Sequence, residues 1–143
     1  SAIRTRVDAG IPLLGICLGM QWLFEGSDEA PNLPGLGVFP GRCFALPAGR
    51  GIKIPHVGWN QLERTSRSSR LLAEVPDRAF AYFTHSFAAP PGDDAVALTS
   101  HGATFASVVE RGHIFGAQWH PEKSGDAGLA VLRAFIADGR EGR

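Results

Sequence analysis

A cysteine stands between two glycines in residues 15–19, which read Gly-Ile-Cys-Leu-Gly. A short apolar run typical of a buried strand precedes Cys17, and residues 20–25 favour a short helix that stops at Gly26. Glycines on both sides of a nucleophile at such a turn allow a strained backbone and an exposed side chain. We therefore predict a reactive thiol at Cys17. We expect the start of the helix to lower the pKa of this thiol, and the Leu18 N–H to stabilise an oxyanion.

A histidine and a glutamate two positions apart, His120 and Glu122, form the second group that could do chemistry. They follow a predicted buried strand over 113–118, and Pro121 favours an extended backbone at His120. Side chains two apart in an extended segment share a face, so the Glu122 carboxylate could hold the imidazole tautomer. Cys17, His120 and Glu122 are then nucleophile, base and orienting acid of a triad. Taken singly, either segment could instead be an ordinary core cysteine or a turn histidine.

A second cysteine, Cys43, competes with Cys17 as the reactive thiol. It lies in residues 41–46, which favour a strand and lack both the flanking glycine pair and a following helix. We interpret Cys43 as a structural residue. The sequence contains no Cys-x-x-Cys or His-x-x-x-His pair, and its five histidines are scattered. We therefore expect neither a metal site nor a cofactor.

Length and charge restrict the function classes. With 143 residues, 44% of them hydrophobic, the chain is expected to form one domain with a substantial core. Fourteen basic and fourteen acidic side chains cancel, so no nucleic-acid surface is expected. Arg64, Arg67 and Arg70 lie among serines, which favours a solvated loop over a phosphate site. No apolar run reaches membrane-spanning length and no signal peptide is visible, so we expect a reducing cytoplasm that keeps Cys17 free.

The rest of the chain predicts many strands and few helices. Residues 1–9 favour the end of a helix that stops at Gly10, and 69–74 favour a short helix. Residues 126–137 predict a final helix with an apolar stripe of Leu129, Val131, Leu132, Phe135 and Ile136. Runs of β-branched and aromatic residues predict strands over 36–46, 58–64, 79–87, 95–100, 104–110 and 113–118. The fold class is α/β without a regular alternation of strand and helix.

The cysteine turn and the His-Pro-Glu segment resemble the triad-type glutamine amidotransferases, which hydrolyse glutamine and pass ammonia to a synthase. Residues 53–60, Lys-Ile-Pro-His-Val-Gly-Trp-Asn, resemble one branch of that family, the glutaminase subunits of imidazole glycerol phosphate synthase in histidine biosynthesis. Residues 37–41, 82–87 and 120–124 resemble the same branch. Met20 before Gln21 also fits this branch better than anthranilate or GMP synthases. The resemblance implies a mixed central sheet flanked by helices and carrying extra antiparallel strands.

The resemblance also implies substrate-binding residues. Gln21 follows Cys17 by four positions, so the two residues share a face on a helix. The resemblance implies that the Gln21 amide binds the amino-acid end of L-glutamine. A solvated helix residue is the alternative interpretation of Gln21. His85, Ser86 and Phe87 would offer backbone groups to the carboxylate and amine of the substrate. From the residues alone, Phe87 is an inward-facing position of a strand.

The partner implied by the resemblance is the cyclase subunit of the synthase, in a heterodimer whose cyclase ligands activate the glutaminase. The candidate docking residues are His56, Trp59, Asn60, Tyr82 and Lys123. An aromatic such as Trp59 could anchor an interface, although a core position is an alternative for it.

The resemblance finally predicts that residues 1–143 form a partial amidotransferase domain. Relatives begin with a strand–helix–strand region before the helix that leads to the cysteine, and residues 1–9 look like the end of that helix. The N-terminal strands and a glycine-rich loop with the second oxyanion donor would then be missing. The alternatives are a glutaminase of anthranilate, aminodeoxychorismate or pyridoxal phosphate synthesis, an inactive docking module, or a plain cysteine hydrolase.

Overall fold

The computed structural model of the chain describes residues 1–141. Its helices are α1 (Ala2–Asp8), α2 (Leu18–Trp22) and α3 (Gly125–Glu141), and a 3₁₀ turn spans Pro121–Lys123. Its strands are β1 (Leu13–Ile16), β2 (Phe24–Ser27), β3 (Phe39–Ala45), β4 (His56–Arg64), β5 (Ala79–His85), β6 (Phe87–Ala88), β7 (Ala95–Ser100), β8 (Thr104–Arg111) and β9 (Ile114–Ala117). None of the helices within this part of the chain has the length and apolar character needed to cross a bilayer.

The strands form two sheets. The larger has six strands in the order β1-β9-β8-β7-β4-β5, and the smaller has three in the order β2-β3-β6. In the larger sheet β1 and β9 run parallel, whereas the other neighbours are antiparallel. The predicted α/β fold with a mixed sheet and extra antiparallel strands is confirmed.

The larger sheet curls until its two ends approach each other. His120 follows β9, and three strands separate β9 from β5 in the sheet order. Nevertheless the His120 backbone N–H donates to the carbonyl oxygen of Tyr82 in β5, at 3.0 Å. The far strand β5 therefore lies beside the carboxyl ends of β1 and β9.

The core consists of two apolar clusters. The larger contains Trp119, Phe115, Phe105 and Phe83, and helix α3 packs on it through Val131. The smaller cluster joins α2 to the small sheet and holds, among others, Met20, Phe24, Phe39 and Cys43. Cys43 is confirmed as a buried strand residue. Helix α3 confirms the predicted final helix, but Leu129 and Ile136 of the predicted stripe are exposed rather than packed.

Three predicted elements are wrong in their extent. The helix expected over 20–25 ends at Trp22, because Phe24 already pairs with Phe39 in β3. The strand expected over 79–87 divides at Ser86, since β5 pairs with β4 while β6 pairs with β3. Residues 71–74, expected to be helical, form turns. In each case, tertiary pairing or side-chain bonding overrides the local pattern.

The three arginines expected in a solvated loop form hydrogen bonds and an ion pair with other parts of the protein. Arg64 Nη1 donates to the carbonyl oxygen of Leu72 at 3.0 Å, and Arg67 Nη1 donates to that of Glu110. The buried Glu110 carboxylate accepts hydrogen bonds from Ser69 Oγ and from the backbone N–H groups of residues 70 and 71. Arg70 pairs with Asp138 of α3 at 2.7 Å. The loop is exposed at residues 66, 68 and 70, as expected, but it also supplies the donors that a buried carboxylate needs.

Candidate active site

The backbone at Cys17 is strained in the way the flanking glycines predict. Cys17 has φ 55° and ψ −111°, a region that residues with a Cβ atom seldom occupy. Its N–H donates to the Ala117 carbonyl oxygen at 2.8 Å, which ties the turn to β9. A Cβ atom at Gly15 would lie 2.7 Å from the carbonyl oxygen of Gly19, so a larger residue would not fit there. The turn from β1 to α2 therefore requires Gly15 and holds Cys17 in a strained conformation.

Cys17 and His120 lie at the same edge of the sheet because each follows one of two parallel strands. Ile16 at the end of β1 is level with Ala117 at the end of β9, so the residues after both strands leave the same edge of the sheet. Strand β5 passes this edge. The Cys17 thiol points at the Thr84 carbonyl oxygen, 3.9 Å away, and the His120 N–H bonds to the carbonyl two residues earlier. The thiol and the backbone of His120 therefore both lie against β5, two residues apart along the strand.

The imidazole of His120 is oriented by a carboxylate. Its Nδ1 lies 3.0 Å from Glu122 Oε2, so Nδ1–H donates and Nε2 remains the basic nitrogen. His120 itself is extended, but residues Pro121–Lys123 form a 3₁₀ turn, so the predicted extended segment is wrong. The turn brings the Glu122 carboxylate back to the ring, and Ser124 Oγ stabilises it by donating to the His120 carbonyl oxygen at 2.6 Å.

Electrostatics favour a charged glutamate. Partial burial alone would raise the pKa of Glu122, but its own backbone N–H and the His120 ring hydrogen-bond the carboxylate and lower that pKa below its ordinary value. The charge of Lys123 acts in the same direction. Glu122 can therefore stabilise a positive charge on His120 when the imidazole accepts a proton.

The thiol does not have the lowered pKa that the helix start predicted. Burial raises the pKa of Cys17 above its ordinary value, and it outweighs the opposing hydrogen bonds from the Leu18 N–H and the Gln118 side chain. The negative charge of Glu122 adds to the increase. Helix α2 contributes little because it contains 5 residues. The thiol is therefore protonated at neutral pH, and a base must remove its proton before attack.

Gln118 belongs to the site and is absent from the sequence-based prediction. It is fully buried, and its Nε2 donates to the Cys17 sulfur at 3.7 Å. Its Oε1 accepts from Gln21 Nε2 at 3.0 Å. Gln118 precedes His120 by two positions along the extension of β9, so the period-two pattern that pairs side chains in a strand was the available signal. This residue links the Cys17 thiol to Gln21.

A family model of class-I glutamine amidotransferases matches residues 1–138 of the chain. The chain belongs to this family. An imidazole glycerol phosphate synthase subunit HisH from a Synechococcus species, strain JA-2-3B'a(2-13), is 48% identical over 138 residues, covering 94% of this chain and 63% of the relative. A protein of the same name from Xylella fastidiosa, strain Temecula1, is 50% identical over 126 residues, covering 88% of this chain and 62% of the relative. The chain thus spans somewhat under two thirds of the length of these curated relatives.

A solved structure supports the fold. A glutamine amidotransferase from Thermotoga maritima superposes with a TM-score of 0.61 at 20% identity, covering 99% of this chain and 54% of that one. At this identity the likeness concerns the fold. The curled mixed sheet therefore has the fold of that amidotransferase.

The residues expected to bind substrate lie close to Cys17. Gln21 is buried, so a solvated position is wrong for it, and its Nε2 donates to the Phe87 carbonyl oxygen at 2.8 Å. The Ser86 carbonyl oxygen accepts from the Leu46 N–H at 2.9 Å. His85 is buried, whereas Ser86 and Phe87 are half-buried. The carbonyl groups of Ser86 and Phe87 therefore already have partners within the chain.

An open cavity of about 660 Å³ adjoins the amidotransferase turn. Its lining includes Leu18, Gly19 and Gln21 from α2, with Leu33 on the opposite side. The Leu18 side chain is exposed. Its backbone N–H bonds toward the Cys17 sulfur, as expected for a group near the reacting atoms. Within residues 1–141, no group of three or more His, Cys, Asp or Glu side chains is arranged to hold a metal ion.

The predicted docking residues divide into exposed and buried ones. Trp59 and Lys123 are exposed, and the Trp59 ring meets the half-buried Tyr82 ring edge-on at 5.9 Å. Asn60 is half-buried and donates to the Ser100 carbonyl oxygen at 3.0 Å. His56 is 4% exposed, so its place in a docking surface is wrong. Its side chain is directed into the aromatic cluster, where its ring stacks on Phe83 at 4.8 Å.

Proposed function

We propose that this chain carries the glutaminase centre of an amidotransferase, which hydrolyses L-glutamine to glutamate and ammonia. The observation that carries the proposal is the strained Cys17 at the same edge of the sheet as His120, whose imidazole Glu122 orients at 3.0 Å. The raised pKa of the thiol makes a neighbouring base necessary, and His120 is that base. Residues 1–143 then form part of one amidotransferase domain.

The reaction follows from these roles. His120 Nε2 accepts the Cys17 proton, and the sulfur attacks the side-chain carboxamide carbon of glutamine to form a tetrahedral oxyanion. The Leu18 N–H stabilises this oxyanion. Collapse of the intermediate breaks the C–N bond, and the proton on His120 passes to the leaving nitrogen, which departs as ammonia. His120 then takes a proton from water, whose oxygen attacks the thioester, so that glutamate and the free thiol are released.

Substrate binding is assigned to Gln21, His85, Ser86 and Phe87. Support comes from the hydrogen bond of Gln21 to the Phe87 carbonyl oxygen at 2.8 Å, and from Gln118, which bonds both to Gln21 and to the Cys17 sulfur. The amino-acid end of glutamine would lie against the Gln21 amide and the backbone of this segment. The side-chain carboxamide would then reach the sulfur.

The partner in this proposal is the cyclase subunit of imidazole glycerol phosphate synthase, in histidine biosynthesis. The names of the two relatives support this choice. Structural support comes from an apolar patch of Val57 and Trp59 on β4 with Phe80 and Tyr82 on β5, which is largely exposed and borders His120. Aromatic side chains of this kind anchor protein interfaces. Lys123 is exposed and precedes Ser124, which accepts from the Tyr82 N–H, and it could pair with an acidic residue of the partner.

The proposed location is a reducing compartment, the cytoplasm. Both cysteines are free thiols in the structure, and the reaction requires Cys17 in this state. An oxidising compartment would oppose that requirement.

The experiment is the release of glutamate from glutamine, measured with and without the liganded cyclase. Cys17→Ala should abolish release, whereas Cys43→Ala, a matched control on the buried cysteine, should retain it. Release that needs neither the cyclase nor its ligand would contradict the assigned partner. Another outcome is a chain that binds the cyclase and yet releases no glutamate, even when it is extended to the full length of its relatives. That result would show that the chain is a docking module.

A further inference from the structure

The side chains of two buried histidines near the site have no role in the reaction described above. His56 on β4 and His85 on β5 face each other in the strand register. They are 4% and 7% exposed, and His56 Nδ1 lies 2.9 Å from His85 Nε2. Phe83 stacks on His56 at 4.8 Å, and Phe105 meets His85 edge-on at 5.1 Å. Buried imidazoles of this kind need a structural or functional reason.

The hydrogen bonds determine both tautomers. His85 Nδ1 lies 2.9 Å from the Phe87 carbonyl oxygen, which can only accept, so this nitrogen carries the proton. Neutral His85 then accepts at Nε2, which makes His56 Nδ1 the donor. His56 in turn accepts at Nε2, where Asn60 Nδ2–H lies 3.2 Å away. All three hydrogen bonds therefore have the same direction: Asn60 donates to His56, His56 donates to His85, and His85 donates to the Phe87 carbonyl oxygen.

The surroundings keep both rings neutral. Burial lowers the pKa of His56 to about 3, and the nearby His101 and His85 lower it further. Burial likewise lowers the pKa of His85 to about 4, against the hydrogen bond to Phe87, and His101 and His120 contribute in the direction of burial. The other rings packed on the pair, Phe83 and Phe105, are apolar. At neutral pH the pair thus acts as a fixed series of donors.

The pair ends on an atom that belongs to the proposed substrate site. The Phe87 carbonyl oxygen accepts from His85 on one side and from Gln21 Nε2, at 2.8 Å, on the other. Gln21 Nε2 also donates to Gln118 Oε1 at 3.0 Å, and Gln118 Nε2 donates to the Cys17 sulfur at 3.7 Å. A change in the pair would therefore reach Gln21 through a single carbonyl group.

We propose that His56 and His85 are positioning residues, which fix the Phe87 carbonyl group and through it the Gln21 amide that binds glutamine. The proposal rests on the glutaminase function proposed above. Without the donor at His56 Nδ1, the buried Nε2 of His85 loses its hydrogen-bond partner, and only the Phe87 carbonyl oxygen then holds the ring. The ring can rotate, and the hydrogen bond that directs Phe87 is weakened.

Two substitutions of the same residue test the proposal. His56→Phe keeps a ring in the aromatic cluster but removes the donor, whereas His56→Asn puts an amide N–H close to the position of Nδ1. His56→Phe should raise the KM for glutamine about three- to tenfold, as expected for one lost hydrogen bond, and should change kcat less than about twofold. His56→Asn should restore most of the KM.

His113→Phe is the matched control, because His113 also bonds to a carbonyl oxygen, that of Val7 at 2.9 Å, but lies at the opposite ends of β1 and β9. It should leave both constants unchanged. An active wild-type protein with the same KM in His56→Phe would overturn the positioning role. A wild-type protein without glutaminase activity under all the conditions above would instead overturn the proposed function.

A second measurement does not depend on activity. Nitrogen-15 chemical shifts of the imidazole rings in the unmodified protein distinguish the two tautomers. We expect Nδ1–H for both His56 and His85 at pH 7, and a changed Nε2 chemical shift of His85 in His56→Phe, where this nitrogen has lost its donor. An Nε2–H tautomer at His85 in the unmodified protein, or a charged ring, would overturn the proposal even if the substitutions alter folding.

Discussion

His120 and the pair of His56 and His85 lie on neighbouring parts of the same edge, yet their partners give them opposite roles. His120 donates to a carboxylate, and its side chain is 19% exposed, so the charged ring is stabilised by Glu122 and reached by water. The paired histidines donate to a neutral imidazole and a carbonyl group inside an aromatic cluster. The charge of the acceptor and the degree of burial thus decide whether an imidazole carries protons or acts as a fixed donor.

The largest effect should follow from removing the proton-carrying histidine. His120→Asn leaves the raised pKa of Cys17 without a base, so we expect glutamine turnover to fall at least about 10³-fold. His113→Asn, far from the thiol, should remain within about twofold of the unmodified protein. Steady-state glutamate release measures both. An equal loss of turnover in the two variants would show that His120 has no special role as a base.

The next effect acts on the turn that brings Cys17 to His120 and leaves the buried pair untouched. Gly15→Ala places a Cβ atom 2.7 Å from the Gly19 carbonyl oxygen, so we expect the free energy of unfolding to fall by about 2 to 4 kcal/mol. Gly19→Ala meets nothing within 4 Å and should change it by less than about 0.5 kcal/mol. Urea unfolding measures the difference. Similar values for the two variants would contradict the close approach.

A smaller effect should come from making the acceptor of His120 neutral, as it is for the buried pair. Glu122→Gln keeps an oxygen for Nδ1–H but removes the charge that stabilises an imidazolium. We expect kcat to fall about 10²-fold, less than in His120→Asn, because the Glu122 side chain is 56% exposed and water can partly replace it. The KM for glutamine should hardly change. A rate close to that of the unmodified protein would remove Glu122 from the triad.

The most gradual effect, spread over more than two pH units, concerns acid stability. The pKa values of His56 and His85 lie at about 3 and about 4, below the ordinary 6.5. Between these pH values the unfolded chain therefore binds protons that the folded chain does not bind. Their contribution to stability is complete above pH 6.5 and is lost as the pH falls. Each histidine should lower the free energy of unfolding by up to about 1.4 kcal/mol per pH unit in this range.

His56→Phe should make this dependence less steep between pH 6.5 and about 4, since one titrating group is gone. Urea unfolding at several pH values measures the slope. An unchanged slope would mean that His56 is not neutral in the folded protein. The variant His113→Phe serves again as the control on an unrelated histidine.

The sequence predicted the local parts of this site better than their connections. The glycines around Cys17 predicted the strained turn, and the spacing of His120 and Glu122 predicted their contact, although a 3₁₀ turn makes it. Burial could not be judged from local patterns, so the direction of the Cys17 pKa shift, the inward position of His56 and the role of Gln118 were missed. The split of 79–87 into two strands was missed for the same reason, since two different partner strands decide it.

The amino-acid sequence by itself determined where backbone strain, nucleophile and base would occur, because glycine, proline and residue spacing act over a few positions. The curl of the sheet belongs to the tertiary structure alone. It brings β5 to the ends of β1 and β9, and so sets Thr84 beside the thiol and Phe87 beside Gln21. Burial then fixes which groups are charged, because a low dielectric opposes charge wherever no partner compensates it. The same side chain, histidine, therefore has one chemistry at His120 and another at His56.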